Sequence, residues 1–129
     1  MEGFIKLYRK IRSWGWYSSP SVKVVFLHFL ISANYETSEY RGVTIERGQA
    51  VFYLNSLSLE LGLSVKQIRT AIDKLKKTGE ITVWTNHQLS VATICNFDKY
   101  QGMTENGERA NEGQTKGKQR ALKGQYQKK

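Results

Sequence analysis

Residues 57–95 read LSLELGLSVKQIRTAIDKLKKTGEITVWTNHQLSVATIC, and this stretch decides the fold. A helix fits 56–61, with Leu57, Leu59 and Leu61 supplying apolar contacts. Gly62 ends it as a C-terminal glycine does. Ser64 then caps a second helix, and Gln67, three residues on, completes a Ser-x-x-Gln capping box. That helix runs to about Thr78, where Gly79 stops it. Strands are expected at 80–85 and 89–95, joined by Asn86-His87-Gln88. The segment Leu61-Gly62-Leu63-Ser64 has the length of the turn in a helix-turn-helix motif. A hairpin straight after the second helix is the wing of a winged-helix domain. The expected class is therefore α+β, mainly α: a winged helix-turn-helix with a C-terminal β-hairpin wing, followed by a disordered tail.

The second helix reads as a wheel. Ile68, Ala71, Ile72 and Leu75 fall at i, i+3, i+4 and i+7, one buried stripe. At about 100° per residue the opposite side holds Lys66, Thr70, Asp73 and Lys77, flanked by Gln67, Arg69 and Lys74. Arg and Lys pair with guanine edges, Gln with adenine, and Thr with either base type. The first residues of a recognition helix reach furthest into the major groove, and its N-terminus offers N–H groups to phosphate. The expected DNA contacts are therefore Ser64, Val65, Lys66, Gln67, Arg69, Thr70, Lys74 and Lys77. A plain solvated face is the alternative; the preceding helix and following hairpin favour DNA. The wing tip offers Asn86, His87 and Gln88 but no Lys or Arg, so wing contact is an even choice.

Upstream, 6–14 places Leu7, Lys10, Ile11 and Trp14 at helical spacing, and 15–20 reads as a connector. Ser21 is the expected N-cap of a mostly buried helix over 22–34, with Val25, Phe26, Phe29, Leu30 and Ala33 inward. Residues 36–42 read as a polar loop. Short strands are expected at 43–45 and 50–53. The run Lys6, Arg9, Lys10, Arg12 reads as an ordinary surface face in preference to a phosphate-binding helix. Trp14, Trp16 and Tyr17 read as core packing in preference to a stacking platform for single strands.

Downstream of Gln101 the only sizeable apolar residues are Met103, Leu122 and Tyr126. Such a segment buries too little surface to offset its ordering entropy. Residues 1–100 are expected to be the DNA-binding domain and 101–129 a disordered basic tail or truncated linker. The chain has 129 residues, with 20 Lys+Arg against 11 Asp+Glu and a formal net charge of +9. Residues 1–100 hold 13 cations and 8 acids, and 101–129 hold 7 and 3. This balance points to an acidic partner, nucleic acid or anionic membrane.

Other chemistry is not suggested. Two histidines and one cysteine do not build a common zinc site, and no phosphate-binding glycine loop occurs. His28 reads as a packed residue and Cys95 as a small core residue with no internal disulfide partner. The apolar run 24–31 is far shorter than the roughly 20 residues a membrane crossing needs. The expectation is a cytoplasmic protein that is not an enzyme and uses no cofactor, no metal and no membrane.

Several separated motifs carry a resemblance. Gly3-Phe4-Ile5-Lys6-Leu7-Tyr8-Arg9-Lys10-Ile11 and Trp14-Gly15-Trp16-Tyr17 open it. Ala33-Asn34, Arg41-Gly42-Val43-Thr44-Ile45 and Arg47-Gly48-Gln49 continue it. Leu57 to Ser64, Gln67-Ile68-Arg69-Thr70-Ala71, Thr78-Gly79-Glu80-Ile81 and Asn96-Phe97-Asp98-Lys99-Tyr100-Gln101 complete it. Over about 3–101 the chain resembles the N-terminal winged-helix domain of phage replication-initiation proteins, the replisome organisers and DnaD-like primosome proteins. The resemblance implies a domain that binds origin DNA or supports self-association, with replication proteins as partners. In such proteins a polar linker leads to a second domain for single-stranded DNA or helicase. Because the sequence stops at Lys129, a truncated prophage product or stand-alone duplex-DNA-binding module is expected. A self-association module of a primosome and a winged-helix transcriptional regulator are the alternatives.

Overall fold

A computed structural model describes residues 3–102. The expected tail lies outside the described residues, apart from Gln101 and Gly102. The described chain is α+β. In order it runs through a 3-10 turn at Arg9–Ser13, α1 (Pro20–Ser32), β1 (Ser38–Tyr40), β2 (Val43–Ile45) and β3 (Gln49–Phe52). It continues with α2 (Leu54–Leu61), α3 (Val65–Lys77), β4 (Ile81–Thr85), β5 (Ser90–Ile94) and α4 (Phe97–Gln101).

The strands form two antiparallel sheets, β1-β2 and β3-β5-β4. In the larger sheet Ala92 faces Ala50 on one side and Val83 on the other. Strand alternation then puts Ala50, Phe52, Ile81, Ala92 and Ile94 on one face. That face packs with Val22, Val25, Phe26, Phe29 and Leu30 of α1 and the α3 stripe in one core. The opposite face of the sheet carries Val51 and Val91, which β2 covers with Val43 and Ile45 in a second, smaller cluster. Ile68, Ala71 and Leu75 are fully buried and Ile72 is 7% exposed, as the wheel requires. Burying an aliphatic side chain of this kind contributes about 1.5–3 kcal/mol, so the stripe is what fixes the rotation of α3.

Several expectations are corrected. The N-terminal helix over 6–14 is only a 3-10 turn at Arg9–Ser13, and Leu7 and Tyr8 ahead of it are about half exposed, so little burial holds a longer helix there. Helix α1 starts at Pro20, a residue whose fixed φ suits the first helical position, so its cap is Ser19 and not Ser21. The polar loop 36–42 contains β1, which pairs Ser38↔Ile45 and Tyr40↔Val43. Leu59 is 86% exposed and contributes no core contact; two positions from buried Leu57, it falls on the opposite side of α2. Gln101 belongs to the domain and not to the tail: it ends α4 and is 3% exposed.

Gly48 joins the two halves. Its N–H donates to Asn34 O at 2.8 Å, its carbonyl accepts from Ile94 N–H at 2.9 Å, and its φ is +82°. Arg47 beside it donates to Asp98 Oδ1 at 2.6 Å and to the carbonyls of Tyr35 and Gly102. Its guanidinium also lies over the rings of Tyr35 and Phe97. These bonds fasten α4 to the turn before β3.

Candidate nucleic-acid interface

The turn before α3 is locked by local bonds. Gly62 is left-handed at φ 72°, and its N–H donates to Ser58 O at 3.0 Å. Ser58 Oγ donates to Leu63 O at 2.6 Å. The capping box is complete: Gln67 N–H donates to Ser64 Oγ at 3.0 Å, and Ser64 N–H donates to Gln67 Oε1 at 2.9 Å. Ser64 and Gln67 are thus committed to the helix start. Bidentate adenine recognition uses both the oxygen and the nitrogen of a Gln amide. The Gln67 oxygen is already engaged, which narrows what this side chain can read.

The remaining expected residues share one exposed surface. Lys66, Arg69, Thr70, Lys74 and Lys77 are all exposed, and Val65 is half-buried. Lys76 is exposed as well and was absent from the expected set. It sits on the Arg69 flank of the wheel, whereas Lys74 and Gln67 share the other flank. The five cations of α3 outnumber its one acid, Asp73, giving the helix +4. Among the described residues the one ion pair is Arg47–Asp98, so the α3 cations have no acidic partner there.

The two ends of α3 differ electrostatically. Lys74, Lys76 and Lys77 occupy the last turn, where they complement the helix C-terminal partial charge. Lys66 and Arg69 sit near the other end, and no acid occupies the first turn. A cation in the first turn, as Lys66 is, works against the helix dipole by about 0.3–1 kcal/mol, and the effect fades beyond that turn, where Arg69 stands. Helix stability therefore accounts for the C-terminal lysines but not for Lys66; Arg69 lies one helical turn before Asp73.

The N-terminal aromatics brace the C-terminal end. Trp14 Nε1 donates to Glu80 Oε2 at 2.8 Å, and Trp16 Nε1 donates to Thr78 Oγ1 at 3.0 Å. Thr78 Oγ1 in turn donates to Lys74 O at 3.1 Å and is also bonded to Glu80 Oε1. Lys74 Nζ lies 5.5 Å from the centroid of the Trp16 ring. Trp14 and Trp16 both pack against the core, as expected, while Tyr17 stays 36% exposed under Lys23.

The hairpin tip separates its three candidates. Asn86 Oδ1 accepts from Gln88 N–H at 2.7 Å and Leu89 N–H at 2.8 Å, so Asn86 shapes the turn. His87 and Gln88 are exposed. From Thr78 through Asp98 there is no Lys or Arg, and the large exposed side chain of the hairpin is Trp84 at 51%. Shifted titrations lie elsewhere, on the β1-β2 hairpin. The Tyr53 hydroxyl donates to Tyr40, and with Arg41 alongside it lowers the Tyr40 phenol below the ordinary tyrosine value. The same contact with Tyr40 raises Tyr53 and, first through its hydrogen bond, raises Arg41.

No group of three or more His, Cys, Asp or Glu side chains that could hold a metal occurs among the described residues. His28 is half-buried and its Nε2 lies 3.3 Å from Ser32 Oγ; Cys95 is half-buried at the end of β5. No helix of the described residues is long and apolar enough to cross a membrane. No family model, curated protein or solved structure matches the chain.

Proposed function

We propose that the chain is a winged-helix module that binds duplex DNA through α3 and serves phage or mobile-element replication initiation. The observation that carries the DNA reading is the placement of Lys66 and Arg69. Both are exposed and form no ion pair among the described residues, and Lys66 sits in the first turn, where the helix dipole disfavours a cation. A polyanion at that end offsets the cost. The capped start, the tight Gly62 turn and the β4-β5 hairpin give the ordered parts of a winged helix-turn-helix. With α3 in the major groove, Lys66, Arg69 and Thr70 meet base edges or phosphates, and Ser64 and Gln67 hold the helix start. The replication role rests on the sequence resemblance.

Fluorescence anisotropy on random duplex DNA across a salt series tests this. If about four α3 cations touch phosphate, log affinity falls with log salt at a slope of about −3.6. Lys66→Ala with Arg69→Ala lowers affinity at least tenfold and flattens the slope by about 1.8. Binding that ignores salt, or that survives both substitutions unchanged, overturns the reading. Selection from a random duplex pool then reports whether bases are read.

A second reading is a self-association module. Its support is the uncharged hairpin together with Val24 and Ile31, 36% and 59% exposed on the outer side of α1. Light scattering over a concentration series tests it, and a strict monomer at the highest concentration removes it.

A further inference from the structure

The segment before α1 does not pack flush against the domain. It is clasped at one end by Gln101, whose Oε1 accepts from Lys6 N–H at 2.7 Å and whose Nε2 donates to Lys6 O at 2.9 Å. At the other end the Trp14–Glu80 bond holds it. Between these points lies a recess of about 560 Å³, a volume within the range of ligand sites. Its floor is Phe26 and Leu30 of α1, with Trp14 and Tyr100 beside them. Trp14 packs on Phe26 with ring centroids 4.9 Å apart. The exposed wall is Leu7 and Tyr8, 52% and 51% exposed. Lys6, Lys10 and Lys99 stand around the mouth, and the lining contains no acid.

The charged side chains that line this recess are all cations, and the acid beside it, Glu80, is engaged by Trp14. From Gly3 to Tyr35 the chain has five cations, Lys6, Arg9, Lys10, Arg12 and Lys23, and no Asp or Glu. An apolar recess lined by Lys6, Lys10 and Lys99, which form no ion pair among the described residues, selects an occupant with a bulky apolar part and adjacent carboxylates. We infer that this recess docks an acidic peptide segment of a partner protein, anchored by a large aliphatic or aromatic side chain. A nucleic acid strand suits it less well. Strand binding stacks successive bases on several open rings; here Trp14 is packed on Phe26 and bonded to Glu80, and Tyr8 at the wall offers a face for a single base. No α3 residue lines the recess, and the inference does not depend on the DNA-binding reading.

The test uses the full chain and a fluorescein-labelled hexapeptide, Asp-Glu-Asp-Gly-Leu-Phe, with a free carboxylate. Anisotropy is expected to report a Kd of roughly 10–100 μM, in the range of a short anchored peptide. Lys10→Glu with Lys99→Glu weakens it at least about tenfold through charge reversal at the mouth. Leu7→Asp does the same at the wall. Circular dichroism melts check that each variant stays folded, which their surface positions favour. Lys66→Ala with Arg69→Ala leaves peptide binding unchanged, so this site and the α3 surface fail or stand separately. A control peptide ending in Gly-Ser that binds equally well overturns the inference, because charge alone then suffices. So does an unlabelled oligothymidylate that displaces the peptide and is itself weakened by the Lys10 and Lys99 reversals. No binding at millimolar peptide overturns it outright.

Discussion

Two backbone positions test how tightly single residues are matched to their conformation. β1 and β2 are joined by Arg41-Gly42, both with positive φ, 51° and 79°. A two-residue hairpin loop of that kind prefers Asn-Gly, because Asn tolerates the left-handed region that a long side chain enters at a cost. Arg41→Asn is expected to raise the melting temperature by about 2–4 °C, less whatever the Arg41–Tyr40 contact contributes. Gly48 poses the opposite case. At φ +82° an added Cβ also comes within 3.0 Å of Phe97 Cβ. Both strain and overlap count against Gly48→Ala, and a loss of about 2–4 kcal/mol in denaturant unfolding is expected. A neutral result there would mean that α4 moves freely away from β3.

At the scale of elements, α3 depends on its cap. Ser64→Ala removes the hydroxyl that accepts from Gln67 N–H, while the backbone N–H at position 64 can still donate to Gln67 Oε1, and the loss costs about 1 kcal/mol. Urea unfolding reads this as a lower midpoint with an unchanged slope. Ser64→Asp keeps the cap and is expected to retain stability while weakening DNA binding, since it adds a negative charge beside Lys66. What was legible in the sequence follows from the same locality. The cap, the Gly62 turn, the α3 stripe and the β4-β5 hairpin are specified by residues within a few positions of one another, so their spacing could be read directly. β1 is three exposed residues, Ser38, Glu39 and Tyr40, with no apolar alternation, and only its pairing with β2 makes it a strand. Gln101 is buried by bonds to Lys6 and Tyr35, far away in sequence, which no local pattern encodes. The candidate surface was legible as exposed cations, and the capping box already tied Gln67 to the helix start; that Asn86 is held by the N–H groups of Gln88 and Leu89 was not, because it requires seeing the bonds made.

Over the whole molecule, the two ends of the described chain are tied through one amide. Gln101 accepts from Lys6 N–H and from the Tyr35 hydroxyl, the latter at 2.9 Å, and donates to Lys6 O. Being 3% exposed, it has no water to replace these partners. Arg47 reaches Asp98 and Gly102 on the adjoining side, so the end of α4 is gripped from two directions. Lys6 and Tyr35 are themselves exposed, so removing the amide hands their groups to water and loosens the hold on the N-terminal segment. Gln101→Ala is therefore expected to destabilise the fold by about 1–3 kcal/mol, and to do so unevenly. Hydrogen exchange should rise first at residues 5–8, while the α3 amides around Ile68 and Leu75 keep protection close to the global value. That difference separates two roles for the segment. If the protection of α3 falls in step with that of Lys6, the N-terminal strap is part of the cooperative core. If it holds, the strap is a separately opening layer braced on the C-terminal end of α3 by Trp14 and Trp16, and the basic face of the helix survives its release.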